Sequence, residues 1–318
     1  MSELLNAADM NNEVIKEICR RKKLLHQPRW SDGLGTRLGL VIEGGGMRGV
    51  ISCGVLAEMQ RLGLTTLFDE VYGESAGAIN GAYFIAKQAE AGELIYTNDL
   101  TSRRFFNIWR PGKLFDMDYA IDEIVGQKRR LNWEEVKLAR SKLYVSLTSA
   151  LGGGKRVVDF QNETISLLTL LKATSAIVPF YNSPVRIGTD EYVDGGIADP
   201  VPIGNAIERG CTHILVLLTR PPSFEPQPLS VIERALVGQF LKSATTKFTE
   251  AFYSRWRRQR ESRAIAFGVV PPSRPVKIAV ICPAETSPRI SRLSQSRQLL
   301  ANAMKESAER ARRIFGCE

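Results

Sequence analysis

Short apolar runs that end in glycine, each followed by apolar positions at helical spacing, set the order of elements in this chain. Leu38-Gly39-Leu40-Val41-Ile42 reads as a buried strand, Gly44-Gly45-Gly46 as its exit loop, and Val50 to Leu62 as a helix. The order then recurs: a strand through Phe68 to Tyr72, the turn Gly73-Glu74-Ser75-Ala76-Gly77, and a helix from Ala76 to about Ala91. Lys142 to Thr148 and Val157 to Phe160 read as strands joined around Gly152-Gly153-Gly154, and Ile214 to Leu218 and Val276 to Cys282 as further buried strands. Helical segments are predicted at 162–175, 229–262 and 290–315. Strands alternating with helices imply parallel pairing and an α/β sandwich covered on both faces. Residues 4–25 read as an amphipathic helix outside that unit, and the breaker-rich stretch from Gln27 to Thr36 places the start of the folded unit near Arg37.

Composition narrows the class. With 318 residues, 44% of them hydrophobic, the chain has material for a substantial core. No apolar run approaches the ~18 residues of a membrane span, and the N-terminus lacks the layout of a secretory signal, so a soluble or peripheral protein is expected. Cys19, Cys53, Cys211, Cys282 and Cys317 are scattered without a C-x-x-C or zinc pattern, which fits a reducing cytoplasm. Cys53 reads as a small buried hydrophobe. The net charge is +9, and residues 251–318 alone carry 14 Lys and Arg against 5 Asp and Glu. That field suits an anionic lipid surface or nucleic acid, but no nucleic-acid recognition motif accompanies it.

The chemistry lies in three glycine-bearing blocks. Gly73-Glu74-Ser75-Ala76-Gly77 has the form of a nucleophile elbow, where flanking glycines permit a sharp strand-to-helix turn that exposes the serine hydroxyl. Of the two histidines, His26 precedes the first strand and His213 opens the run Ile214 to Leu218, at the end of the sheet away from the expected chemistry. A carboxylate must then take the serine proton, and Asp194, between Glu191-Tyr192-Val193 and Gly195-Gly196, is the leading candidate for general base. Asp199, before Pro200, reads instead as a structural helix cap.

Gly44, Gly46 and Gly49 also spell the dinucleotide fingerprint G-x-G-x-x-G. That alternative needs an acidic residue at the end of the second strand; Asp69 and Glu70 fall at its start and only Glu74 at its end. In the oxyanion-loop account, the N–H groups of Gly45 and Gly46 face the carbonyl oxygen of an ester, with Arg48 favouring the same charge or fixing the loop as an ion-pair partner. The bulky segment Phe105 to Tyr119 reads either as the lining or cover of an acyl site or as a helix-loop-helix packed on the sheet. Phe248, Phe252 and Trp256 recur at four-residue spacing among Arg255, Arg257, Arg258 and Arg260, consistent with a core-packed stripe or a helix in a lipid interface.

Gly44-Gly45-Gly46-Met47-Arg48-Gly49, the elbow with Gly73 and Gly77, Ala173 to Pro179, and Asp194-Gly195-Gly196 together resemble the patatin-like phospholipases, over about residues 37–207. The resemblance implies a three-layer α/β/α fold with a mainly parallel sheet and a Ser75–Asp194 dyad. It also implies glycine-loop oxyanion donors, hydrolysis of lipid acyl esters, and no metal or organic cofactor. Malonyl-carrier-protein acyltransferases use a related fold but place histidine where this chain has Glu74. The expected organisation is a helical extension at 1–36, a catalytic domain at 37–207, and a part at 208–318 that completes the α/β unit with basic helices. The expected activity is that of a cytoplasmic lipid acyl-ester hydrolase, in peripheral contact with an anionic membrane surface. A noncatalytic lipid-binding protein and an acyltransferase stand as the alternatives.

Overall fold

In the computed structural model, residues 12–25, 35–110, 113–178, 180–181 and 183–316 are described. One eight-stranded sheet organises them. Its strands are β1 (Leu38–Ile42), β2 (Glu70–Gly73), β3 (Lys142–Ser149), β4 (Lys155–Asp159), β5 (Val185–Ile187), β6 (Asp190–Val193), β7 (His213–Leu217) and β8 (Lys277–Ile281). They lie in the order β5-β6-β3-β2-β1-β7-β8, with β4 also paired to β3. The centre from β3 to β8 is parallel, while β4, β5 and β6 join antiparallel.

Both faces of the sheet are buried, and the alternation along β1 divides them. Leu38, Leu40 and Ile42 enter the larger core with Val50, Phe84 and Leu300, whereas Val41 enters a second core with Tyr72, Tyr144 and Ile207. This is the three-layer α/β/α arrangement. Helices α2 (Gly49–Arg61) and α3 (Ala76–Ile85) follow β1 and β2 directly, which brings their N-termini and both glycine turns to the C-terminal edge of the parallel strands. Among the described residues, no helix is long and apolar enough to cross a membrane.

Several elements differ from the sequence-based expectation. α3 stops at Ile85, and Lys87 takes a φ of 58°, which ends the helical run short of Ala91. The helix expected at 229–262 is two, Val231–Phe240 and Thr246–Ala266, because Thr245 accepts a hydrogen bond from the Phe248 N–H and starts a new helix. Phe248 and Phe252 of that helix are buried against the core, while Arg257 and Arg260 are exposed. The N-terminal helix, α1 (Glu13–Leu24), does not lie outside the fold: Val14, Ile15 and Ile18 are buried in the larger core beside β7 and β8. Residues 4–11 of that expectation, His26, Pro28, Gly33 and Cys317 fall outside the described residues.

A buried ion network fixes α1. Arg21, 2% exposed, donates to Glu17 at 2.9 Å, Asp69 at 2.8 Å, and the carbonyls of Leu67 and Thr36. Burial alone would raise the Glu17 pKa, but hydrogen bonds from Arg20, Thr36 and Arg21 bring it down to about 2. Arg21→Ala is expected to lower the unfolding free energy by about 3 kcal/mol, since it leaves the Leu67 and Thr36 carbonyls unpaired and takes one partner each from Glu17 and Asp69, although Glu17 keeps Arg20 and Thr36; urea titration measures this. The Glu17 contribution is present above its unfolded pKa and lost as pH falls toward 2, so the gap between variant and parent should narrow in acid while the part due to the two carbonyls stays.

Candidate active site

Ser75 sits on a strained hinge between β2 and α3. Its φ of 52° and ψ of −130° are unusual for a side-chain-bearing residue, and the surrounding contacts enforce them. A Cβ on Gly77 would collide with the Ile42 carbonyl, so the first turn of α3 can lie against β1 only with glycine there. The Ser75 N–H donates to Thr174 Oγ1 at 2.9 Å, and that hydroxyl donates to the Ser146 carbonyl at 2.7 Å. Thr174 thus ties the elbow to β3. Thr174→Val is expected to lower turnover about tenfold by leaving a buried N–H unpaired, with little change in melting temperature; kinetics and thermal unfolding separate the two effects.

Asp194 follows β6 and turns its carboxylate to the same place. Oδ1 accepts the Gly196 N–H at 2.7 Å, and the Ser75 hydroxyl lies beside the carboxylate, favouring its ionised form. Burial outweighs these effects and the nearby Arg292, and holds the Asp194 pKa above the ordinary aspartate value. Thr148 of β3 donates to the Asp194 carbonyl at 2.8 Å and so fixes the turn.

The glycine loop completes the arrangement. Gly45 and Gly46 have φ of 152° and 59°, and among the described residues no hydrogen bond takes up their N–H groups, although both line the pocket that Ser75 and Asp194 share. The Gly44 N–H is committed to Glu74 Oε1 at 2.6 Å, and the Met47 N–H to the Arg292 carbonyl at 3.2 Å. Arg48 is buried behind Gly45, with Nε 3.3 Å from Thr219 Oγ1, and burial followed by the neighbouring Arg292 lowers its pKa to about 9. Gly49 carries the loop into α2, and Gly73 and Gly195 frame the two turns.

Two cavities meet at Gly46, Ser75 and Ile177. The first is apolar and lined by Met47, Leu56, Ile79, Phe105, Phe115 and Met117 among others. The bulky segment therefore contributes to the cavity wall, while Ile108 and Trp109 within it are exposed, and Pro111 and Gly112 lie outside the described residues. Cys53 also lines it, buried, with its thiol pushed up to about 12 by desolvation. The second cavity is polar and includes Glu43, Glu74, Asp194, Arg255, Gln259 and Arg292.

Sequence reasoning missed much of this polar wall. Glu74, inside the elbow motif, is buried between Gly44 and Asp194, and desolvation followed by the Asp194 charge drives its carboxyl well above the usual range. Its position inside G-x-S-x-G was the available signal. Glu43 accepts from the Thr219 N–H at 2.6 Å and from Gln259 at 2.9 Å. Arg258 donates to the Ile197 carbonyl at 2.9 Å, so the helix Thr246–Ala266 reaches the turn after Asp194 as well as, through Gln259, Glu43 at the start of the glycine loop.

Other candidates separate from the site. Asp69 pairs with Arg21 and Glu70 with Arg37 at the start of β2, and the Glu74 carboxyl fills the space beside Gly44, so the dinucleotide alternative has no ribose partner. His213 is the first residue of β7, paired with Leu38 at the opposite end of the sheet from Ser75. Asp199 caps no helix, for the next one begins at Ile203; instead it accepts from Ser146 Oγ and Asn205 Nδ2, both at 2.6 Å, and joins β3 to that helix.

The family model described as Patatin-like phospholipase matches residues 40–207. The uncharacterized protein YjjU of Escherichia coli is 31% identical over 205 residues, 63% of this chain and 57% of that protein. The lysophospholipase NTE1 of Candida albicans is 24% identical over 186 residues, 57% of this chain and 13% of that protein. The chain therefore matches little more than half of the first relative and a small part of the second. Among solved structures, VipD from Legionella pneumophila aligns with a TM-score of 0.50 at 14% identity, covering 88% of this chain and 67% of that one, a likeness of fold.

Proposed function

Because this chain belongs to the patatin-like phospholipase family, we propose that it hydrolyses acyl esters of lipids, with Ser75 as nucleophile and Asp194 as general base. The observation that carries this reading is the convergence of a strained serine, a buried carboxylate and two unclaimed main-chain donors at the mouth of an apolar cavity. Asp194 takes the hydroxyl proton as Ser75 Oγ attacks the ester carbonyl. The oxyanion turns to the N–H groups of Gly45 and Gly46, preset where charge develops. Collapse breaks the ester bond, and the proton held by Asp194 passes to the leaving alkoxide. Asp194 then takes a proton from a water as that water bonds to the acyl carbonyl carbon; the Ser75 Oγ–acyl bond breaks, the proton on Asp194 returns to Ser75 Oγ, and the acyl group leaves as the acid. The region at 37–207 supplies these groups, and residues beyond 207 wall the polar side.

A fluorophosphonate probe should label Ser75, and phospholipid, lysophospholipid and neutral glyceride vesicles should yield free fatty acid. Vesicle binding with neither labelling nor release would point to a noncatalytic lipid-binding protein. Acceptor-dependent ester product in place of free acid would point to an acyltransferase.

A further inference from the structure

The polar cavity holds two arginines that no step above uses. Arg255 lies on the helix Thr246–Ala266 and Arg292 on the segment between β8 and the helix Arg297–Phe315. Both line the cavity that contains Ser75, and both act on the Asp194 charge, Arg292 the more strongly. Among the described residues neither guanidinium makes a hydrogen bond or ion pair; Arg255 lies over the Phe252 ring, 4.4 Å from its centre. Burial and then the proximity of Arg292 lower the Arg255 pKa to about 10, so two like charges are held together beside the nucleophile. Of the nearby acids, Glu43 is engaged by Thr219 and Gln259, Glu74, held well above the usual carboxylate range, offers little negative charge, and Asp194 and Glu233 act on Arg255 from a distance without a hydrogen bond or ion pair to it.

Paired, unclaimed guanidinium groups match the oxygens of a phosphate. We infer that the polar cavity is a phosphate subsite, in which Arg255 and Arg292 hold the phosphate of the substrate's alcohol while the acyl chain occupies the apolar cavity. This rests on the hydrolase reading and narrows it to acyl esters bearing a phosphate a few bonds from the scissile carbonyl. Arg255 and Arg292 lie outside the family-matched residues 40–207, so selectivity comes from a different stretch of chain than the nucleophile.

Two measurements test it. In calorimetry the parent should bind sn-glycerol 3-phosphate and not glycerol, with Arg255→Gln and Arg292→Gln each weakening binding roughly 10- to 100-fold and the Lys variants keeping part of it. In kinetics, the kcat/KM ratio for 1-acylglycerol 3-phosphate over the 1-acylglycerol of equal chain length should exceed tenfold and fall toward one in the Gln variants. Absence of binding to the parent, or binding and ratio both unmoved in folded Gln variants, overturns the subsite. Inorganic phosphate binding at these arginines without preference for the phosphate-bearing ester overturns the headgroup assignment and leaves a free-anion site. Phosphate binding without turnover of any ester or labelling of Ser75 would instead remove the hydrolase reading.

Discussion

Asp194→Asn is expected to lower kcat for ester hydrolysis by about 10⁴-fold, and Ser75→Ala by about 10⁶-fold, with both variants folded. An asparagine keeps the Oδ1 that accepts the Gly196 N–H and fills the same space, so the turn survives while the proton acceptor is lost. The acid limb of the pH profile is a second readout. As the proposed general base, Asp194 must be ionised, and burial holds its pKa above that of an exposed aspartate, so kcat/KM should fall as pH drops through a value higher than ~3.9. Stability should move the opposite way. A carboxyl with a raised folded-state pKa contributes stability at low pH and loses it as pH rises through that value. Asp194→Asn should therefore melt above the parent at about pH 8. Turnover in Asp194→Asn within tenfold of the parent, measured across the pH range, would sink the dyad.

Gly45→Ala is expected to cost about 10²- to 10³-fold in kcat, roughly 3 to 4 kcal/mol of transition-state stabilisation, the usual effect of losing one oxyanion donor. Alanine rarely adopts the φ of 152° found there, and its Cβ would stand 2.9 Å from Nη2 of Arg48, a side chain held in place by its Nε hydrogen bond to Thr219 Oγ1. The loop must rotate, and the Gly45 N–H turns with it. Gly204→Ala is the control: no atom lies within 4 Å of the added methyl, and stability and turnover should both hold. Equal kcat in Gly45→Ala and the parent, from steady-state kinetics, would remove this loop from the chemistry.

The two glycine turns were legible in sequence because their geometry is local: a strand end, a close backbone approach and a helix start lie within a few residues. The central strands were legible for a similar reason, since parallel strands buried on both faces read as unbroken apolar runs. Val185–Ile187 was not, because a three-residue edge strand with an exposed Arg186 carries no such run. The amphipathic helix was legible at α1 but its place was not: it was expected outside the unit, whereas its apolar face is buried and Arg21 is satisfied by Leu67 and Asp69, more than forty positions along the chain. The polar wall of the site was hidden for the most general reason. Glu43 meets Gln259, and Met47 meets Arg292, across more than two hundred positions, and a single sequence holds no signal for such meetings.

The position of β7 bears on how the molecule can be cut. β1, which leads into the glycine loop, pairs on one side with β2 and on the other with β7, a strand beyond the family-matched region. A fragment trimmed at residue 207 would expose the main-chain edge of β1 to water, leave Glu43 without Thr219 and Gln259, and present an apolar template for self-association. Such a fragment is expected to precipitate or to populate oligomers, because the family-matched residues rely on strands beyond them to close the sheet.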